Sequence, residues 1–218
     1  MDEKTVKQLA EKIVDEIRSA IKIPIGISNR HLHLTRADFQ LLFPHEELTM
    51  KKQLRQPGEF AAEQTVSIAG PKGVIENVRI LGPFRNRSQL ELAMTDARKI
   101  GLSLPLRLSG NVSGTPGVRI QSPHSDIELP EGAIIAQRHI HMSVQEAAFL
   151  GLEQGEAVAV KIRGEGRSLI FDDCIVRVGE NMVLEMHLDT DEANAANVTQ
   201  ETFAAFIPKN EKSSAAAQ

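Results

Sequence analysis

The sequence contains no tryptophan and no tyrosine, and its only cysteine is Cys174. A single cysteine excludes both an intrachain disulfide framework and a CxxC metal site, and it suits a reducing cytoplasm. Because aromatic residues make up only 4% of the chain, the hydrophobic core has to be aliphatic. Cys174 lies in the apolar stretch 171–176, where a buried structural thiol is favoured over a nucleophile.

Long apolar runs and blocks of basic residues are also missing. No stretch approaches the roughly 20 apolar residues of a membrane span, and the charged N-terminus lacks the apolar core of a secretory signal. The net charge of −4 and the pI near 6.0 provide no positive field that would attract nucleic acid. We therefore expect a cytoplasmic protein with neither a membrane nor a nucleic acid as partner.

The N-terminus carries an amphipathic pattern. Over residues 2–18, apolar side chains recur at spacings of three and four, and charged side chains lie opposite them. The pattern predicts a helix within residues 1–20. Its apolar stripe consists of Val6, Leu9, Ala10, Ile13, Val14 and Ile17.

Short β-branched runs follow this helix. They lie at 21–27, 65–68, 74–80 and 157–162, and frequent Gly and Pro turns separate such runs along the chain. The turns leave too little room for long crossover helices, so the pattern predicts a mainly β fold of small barrels or sandwiches. The polar, alanine-rich residues 209–218 are predicted to form a disordered tail.

One ten-residue motif occurs twice. Residues 29–38, Asn-Arg-His-Leu-His-Leu-Thr-Arg-Ala-Asp, resemble residues 137–146, Gln-Arg-His-Ile-His-Met-Ser-Val-Gln-Glu. The chain is therefore predicted to be internally duplicated. In each copy a strand-like R-H-x-H segment leads to Thr or Ser with an acidic residue three positions later, which predicts a strand, a helix cap and a short helix.

The histidines of this motif point to a metal. Side chains alternate faces along a strand, so His31 and His33 share one face, as do His139 and His141. Two imidazoles on one face can bind zinc or another first-row transition metal. A single H-x-H is as readily a surface pair, but its repetition in matched contexts favours a metal.

Each histidine pair needs at least one further ligand, and the candidates are Glu91 and His187. Both lie between apolar neighbours, a pattern that also describes the solvent face of a strand, so spacing alone leaves both interpretations open. His45 and His124 lie beside prolines in expected loops and are taken as surface residues.

Two arginines follow the Gly82-Pro83 turn, shortly before Glu91. Arg85 suits a phosphate ligand through charge-assisted hydrogen bonds, although Arg85 and Arg87 also fit the commoner case of solvated loop arginines. The glycine-containing run 109–117 lacks the lysine and spacing of a P-loop, so a plain turn is favoured there over a phosphate-binding loop.

At this point the motifs resemble a known family, the PduL-type phosphotransacylases, or phosphate propanoyltransferases, of bacterial microcompartments. The resemblance runs from about Ile23 to Pro208. The segments that carry it are 25–34, 56–66, 119–120, 137–142 and 184–194.

The resemblance implies two small β-barrels capped by short helices, with the duplicated segments facing a shared site between them. Residues 20–28 would join residues 137–208 in the first barrel, and residues 29–136 would form the second. It also implies two zinc ions per chain and a phosphate ligand for Arg85. The implied ligands are His31, His33 and Glu91 for one ion, and His139, His141 and His187 for the other.

The activity implied is the conversion of propionyl-CoA or acetyl-CoA plus phosphate into acyl phosphate plus CoA. One zinc would bind the CoA sulfur, the other would polarise the thioester or orient phosphate, and Arg85 would offset charge. A zinc-dependent thioester hydrolase and a metal-braced structural module of a microcompartment stay open as alternatives. No identifiable pocket residue sets the length of the acyl chain.

The resemblance also implies a location and further partners. We expect a homo-oligomer in the bacterial cytoplasm, inside a microcompartment. The helix within residues 1–20 has two interpretations that stay equally open: an encapsulation peptide that binds shell or cargo proteins, or a helix docked on its own barrel.

Overall fold

The computed structural model describes residues 1–208, so the predicted tail at 209–218 lies outside the described residues. Strands dominate this part of the chain, which confirms the prediction of a mainly β protein. The helices are α1 (Glu3–Ala20), α2 (Arg36–Leu42), α3 (Met94–Lys99), α4 (Val144–Leu150) and α5 (Thr190–Ala195). The strands are β1 (Ile23–Ser28), β2 (His31–His33), β3 (Met50–Gln53), β4 (Phe60–Gly70), β5 (Gly73–Gly82), β6 (Gln89–Glu91), β7 (Leu106–Arg107), β8 (Val118–Gln121), β9 (Asp126–Leu129), β10 (Ala133–Ala136), β11 (His139–Met142), β12 (Ala157–Ile162), β13 (Leu169–Val178), β14 (Glu185–Asp189) and β15 (Phe203–Phe206).

The chain folds into two compact units. The first unit contains Met1–Ile27, Arg138–Leu188 and the described residues from Glu192 onward, and the second contains Ser28–Gln137 and Asp189–Asp191. In the first unit, six strands form a closed barrel in the order β1-β14-β11-β13-β12-β15. The first strand of the chain thus completes a barrel whose other strands come from the C-terminal half.

The second unit is built on a nine-stranded sheet that forms a half-barrel. Eight of its strands follow the order β7-β10-β6-β2-β5-β4-β8-β9, and β3 pairs with β4 at the side. The H-x-H strand β2 lies between a parallel neighbour, β5, and an antiparallel neighbour, β6. In the first unit, the H-x-H strand β11 lies in the same way between parallel β13 and antiparallel β14. The predicted duplication is therefore visible in the strand topology.

Each unit has its own aliphatic core. The central residue of each H-x-H motif is fully buried in that core, Leu32 in the second unit and Ile140 in the first. Because side chains alternate along a strand, the histidines on either side of Leu32 and of Ile140 point to the opposite face. The cores thus fix which way the histidines face.

A short helix follows each H-x-H strand, as predicted. Thr35 caps α2 by accepting a hydrogen bond from the Asp38 amide at 3.0 Å, and Ser143 caps α4 by accepting one from the Glu146 amide at 3.1 Å. Only α4 has the complete capping box, because the Glu146 side chain also accepts from the Ser143 amide.

The N-terminal helix is attached to the first unit by its C-terminal end. Arg18 donates from Nε to the Leu150 carbonyl at 2.6 Å and from Nη2 to the Gly151 carbonyl at 2.7 Å, at the C-terminus of α4. A guanidinium is favourable there because it satisfies carbonyls that have no partner within the helix. The apolar stripe is not covered, since Val6, Leu9 and Ile13 are each about half exposed.

Candidate functional site

The first cluster of predicted ligands lies in the second unit. His31 and His33 are both buried, and their ring centroids are 5.0 Å apart on the same face of β2. Glu91 on β6 is the direct cross-strand partner of His31, so its side chain joins the same face. Glu91 Oε2 lies 3.4 Å from His31 Nε2, and one candidate ligand atom from each of the three residues lies within 4.8 Å of the others.

Burial and mutual charge determine the protonation of this cluster. Burial opposes the charged form of His31, but the carboxylate of Glu91 outweighs it and raises the pKa of His31. Burial, together with the charges of His31 and Arg85, holds the pKa of His33 well below its usual value. Glu91 is buried too, yet the attraction of His31 lowers its carboxyl pKa well below normal. These directions favour an ionised carboxylate at Glu91 and a neutral imidazole at His33, as metal ligands require, whereas His31 would have to release a proton to bind a metal ion.

The hydrogen bonds of the rings fit a metal ion. His31 Nδ1 lies 2.8 Å from the Asn29 carbonyl oxygen and donates to it in the neutral ring, which leaves the Nε2 lone pair towards Glu91. His33 Nδ1 is buried and has no hydrogen-bond partner within the described residues. A buried polar atom without a partner is costly, and a bound cation would satisfy it.

The second cluster lies in the first unit. His139 and His141 on β11 face one another with their Nε2 atoms 3.0 Å apart. His187 on β14 is the direct cross-strand partner of His139, just as Glu91 is of His31. Two imidazole nitrogens of one tetrahedral zinc are separated by roughly 3.3 Å, given Zn–N bonds of about 2.0–2.1 Å. The spacing of the rings is therefore close to that of neighbouring zinc ligands.

Arg85 is held in place beside the first cluster. Its Nη1 donates to Ser109 Oγ at 3.0 Å, and its Nη2 lies 3.2 Å from Glu59 Oε1. Its backbone amide also donates to the Leu34 carbonyl at 2.9 Å, which ties the loop to the end of the H-x-H strand. The guanidinium is about one-third exposed, so it is both positioned and accessible to a ligand.

Two residues of this network were not identified from the sequence. Gln89 is buried, donates from Nε2 to Ser109 at 2.8 Å and to Glu91 at 2.5 Å, and accepts from the Gly110 amide at 2.7 Å. Gln89 stands two positions before Glu91, so strand periodicity was a usable signal for it. Ser109 begins the run 109–117, for which the sequence favoured a plain turn over a phosphate-binding loop, and the fold brings it next to Arg85.

The chain matches a known protein family. The model of the family described as Phosphate propanoyltransferase matches residues 24–199. The chain belongs to the phosphate propanoyltransferase family. Both ligand clusters and Arg85 lie within the range that this family model covers.

Curated members of the family are similar over nearly their whole length. The Phosphate propanoyltransferase of Salmonella typhimurium is 52% identical over 196 residues, which cover 90% of this chain and 93% of that protein. The Shewanella putrefaciens protein of the same name is 54% identical over 198 residues, with coverages of 91% and 93%. The Klebsiella pneumoniae protein of the same name is 51% identical over 210 residues, which cover 96% of this chain and 100% of that protein.

The other residues considered from the sequence lie outside the two clusters of this family member. His124 is exposed and lies 3.0 Å from Glu46, and His45 is exposed as well. Arg87 pairs with Glu131 rather than with the Arg85 network. Burial raises the pKa of the Cys174 thiol to about 12, so this cysteine is not a reactive thiolate at neutral pH. Within residues 1–208, no helix has both the length and the apolarity needed to cross a bilayer.

Proposed function

We propose that this protein transfers a short acyl group, propionyl or acetyl, between CoA and phosphate with two zinc ions per chain. A phosphate oxygen bonds to the thioester carbonyl carbon, the C–S bond breaks, and CoA leaves as a thiolate that takes up a proton. Membership of the phosphate propanoyltransferase family supports the acyl transfer. The observation that carries the zinc dependence is the presence of two three-residue ligand clusters, one in each unit, in which five of the six side chains are buried and His187 is half-buried.

The ligand chemistry of each cluster suits zinc. Imidazole and carboxylate ligands in sets of three are typical of sites that keep a position for substrate. One ion would be held by His31, His33 and Glu91, and the other by His139, His141 and His187. A zinc ion bound in this way lowers the pKa of a coordinated thiol and polarises carbonyl or phosphoryl oxygens.

Arg85 would bind the attacking phosphate. Its planar guanidinium can donate two parallel hydrogen bonds to phosphate oxygens, which orients the phosphate as well as attracting it. Ser109 and Glu59 restrict the guanidinium before phosphate arrives, so less side-chain entropy is lost on binding. Its positive charge would offset the negative charge that develops as the thioester is attacked.

Phosphate-dependent release of CoA from propionyl-CoA tests this proposal. We expect the purified protein to release CoA only with phosphate, to form acyl phosphate that hydroxylamine traps as a hydroxamate, to lose activity on chelation and to regain it with zinc. Release of CoA without phosphate would instead favour a zinc-dependent thioester hydrolase. No release by protein loaded with two zinc ions would favour a metal-braced structural module.

We further propose that α1 binds a shell or cargo protein of a bacterial microcompartment. The half-exposed Val6, Leu9 and Ile13 form an apolar stripe, which is the surface that an amphipathic helix presents to a partner groove. The buried residues of α1, Asp15 and Arg18, lie in its C-terminal part, so the helix can dock on its own barrel and still present the stripe near its N-terminus. The homo-oligomer stays a prediction.

A triple substitution in α1 separates the stripe from the attachment. We expect Val6→Ser with Leu9→Ser and Ile13→Ser to abolish co-sedimentation of the protein with purified microcompartments and to leave its transacylase activity unchanged, because Arg18 is kept. The matched control replaces Lys4, Lys7 and Glu11, which are exposed polar residues of the same helix, by serine. Wild-type co-sedimentation of the apolar triple variant would contradict the proposal.

A further inference from the structure

Gln89 and Glu185 occupy equivalent positions in the two units. Each stands two residues before the third predicted ligand on the same strand, Gln89 before Glu91 on β6 and Glu185 before His187 on β14. Each is also the cross-strand partner of the second histidine of its motif, Gln89 of His33 and Glu185 of His141. Because residues at i and i+2 share a face of a strand, both side chains lie next to a ligand cluster.

Both residues are buried and contact the third ligand directly. Gln89 is 2% exposed, and its amide Nε2 donates to Glu91 Oε1 at 2.5 Å. Glu185 is 7% exposed, and its Oε2 lies 3.0 Å from His187 Nε2. A donor faces the carboxylate in one unit, and an acceptor faces the imidazole in the other.

We propose that Gln89 and Glu185 are the positioning residues of the two metal sites, each matched in hydrogen-bond polarity to the ligand that it orients. This inference rests on the proposed binding of zinc by the two clusters. The ligands come from a duplicated framework, but the third ligand is the carboxylate of Glu91 in one copy and the imidazole of His187 in the other. The residue two positions before the third ligand differs to match, because Gln89 offers an amide donor to the carboxylate and Glu185 offers an acceptor to the imidazole.

The contacts determine which ligand atoms remain for a metal. The amide of Gln89 engages Oε1 of Glu91, which leaves Oε2 on the side of His31 Nε2, 3.4 Å away. In the neutral ring of His187, Nε2–H donates to Glu185, so Nδ1 is the lone pair that remains. Ligating histidines typically donate their other ring N–H to a carboxylate or a carbonyl, as His31 also does to Asn29.

Neighbouring groups leave both positioning residues little freedom. Gln89 has further hydrogen bonds to Ser109 and to the Gly110 amide, so its amide group cannot rotate without losing them. Gly26 of β1 packs over Glu185 and His187, since a Cβ there would lie 2.9 Å from Glu185 Oε1 and 2.9 Å from His187 Cδ2. Such confinement is what positioning of a ligand requires.

Exchanging amide and carboxylate at these positions tests the proposal with almost no change in size. Gln89→Glu removes the donor and places a second carboxylate beside Glu91, so we expect one of the two zinc ions to bind about 10 to 100 times more weakly. Glu185→Gln keeps an acceptor oxygen for His187, so we expect a smaller loss of affinity for the other zinc ion. Glu185→Leu has no acceptor and should weaken the binding of that ion by about 10 to 100 times.

Zinc affinity is measured by competition with a chromophoric zinc chelator on the full chain, and the thermal unfolding of each metal-free variant is recorded in parallel. The proposal is supported if each variant weakens the binding of one zinc equivalent and the size of this loss does not scale with any change in the metal-free unfolding midpoint. Three results would overturn the proposal. They are unchanged zinc affinities in all three variants, equal losses of zinc affinity in Glu185→Gln and Glu185→Leu, and losses of zinc affinity that scale with the fall in the metal-free unfolding midpoint. A wild-type protein that binds no zinc would overturn the proposed metal dependence itself, which is a distinguishable result.

Discussion

Replacing His33 by alanine should lower kcat/KM for phosphate-dependent CoA release by about 10³-fold or more and remove one zinc equivalent per chain. A catalytic metal contributes several kcal/mol of transition-state stabilisation, and each ~1.36 kcal/mol corresponds to a factor of ten. His33 has a buried Nδ1 without a hydrogen-bond partner within the described residues. We chose His33 for this test because a bound cation would satisfy that buried atom. His141→Ala, at the equivalent position of the first unit, should remove the other zinc equivalent.

His124→Ala is the matched control for this experiment. It removes a histidine from the same unit, but this side chain is exposed and pairs with Glu46 outside the cluster. Activity and zinc content should both match those of the wild type. If His33→Ala lost one zinc equivalent and kept its activity, the ion at His31, His33 and Glu91 would be structural.

Replacing Arg85 by alanine should lower kcat/KM for phosphate by about 10² to 10³-fold, the range observed when one donor to a developing charge is removed. The change removes both hydrogen bonds of the guanidinium fork and its positive charge. Arg85→Lys keeps the charge without the planar fork, so we expect an intermediate loss. Initial rates at varied phosphate and fixed propionyl-CoA give kcat and KM separately for each variant.

Arg87→Ala is the control in the same loop. Within residues 1–208, Arg87 pairs with Glu131, whereas Arg85 is held by Ser109 and Glu59, so loss of Arg87 should change KM for phosphate little. Arg85→Ala with unchanged KM for phosphate and unchanged kcat would refute the assignment of Arg85 to phosphate.

Local patterns in the sequence were sufficient to predict several features of the fold. Period-2 alternation placed His31 and His33 on one face, and the fully buried Leu32 between them explains why that prediction is confirmed. The amphipathic pattern predicted α1, and the Ser143 cap with Glu146 predicted the start of α4. These signals are local because they depend on residues within one turn or one strand.

Other features depended on strand register, which local patterns do not specify. Glu91 and His187 were indistinguishable by spacing from exposed strand residues, and Gln89 and Glu185 were not considered. The register that places Glu91 opposite His31 joins strands about 60 residues apart, and it results from packing the whole sheet on its core. Arg18 likewise gave no sign that it would bind carbonyls of α4, because that contact joins residues 132 positions apart.

The sequence by itself determined that this protein is mainly β, is internally duplicated and contains two H-x-H pairs, because these properties depend on the periodicity and the repetition of the residues along the chain. Its motifs also indicated the family that the comparison then established. Only the tertiary structure decided which residues complete each cluster, which side chains orient them and that the apolar stripe of α1 stays exposed. The physical reason is that long-range strand pairing and burial, rather than local propensity, bring distant polar groups within hydrogen-bonding distance.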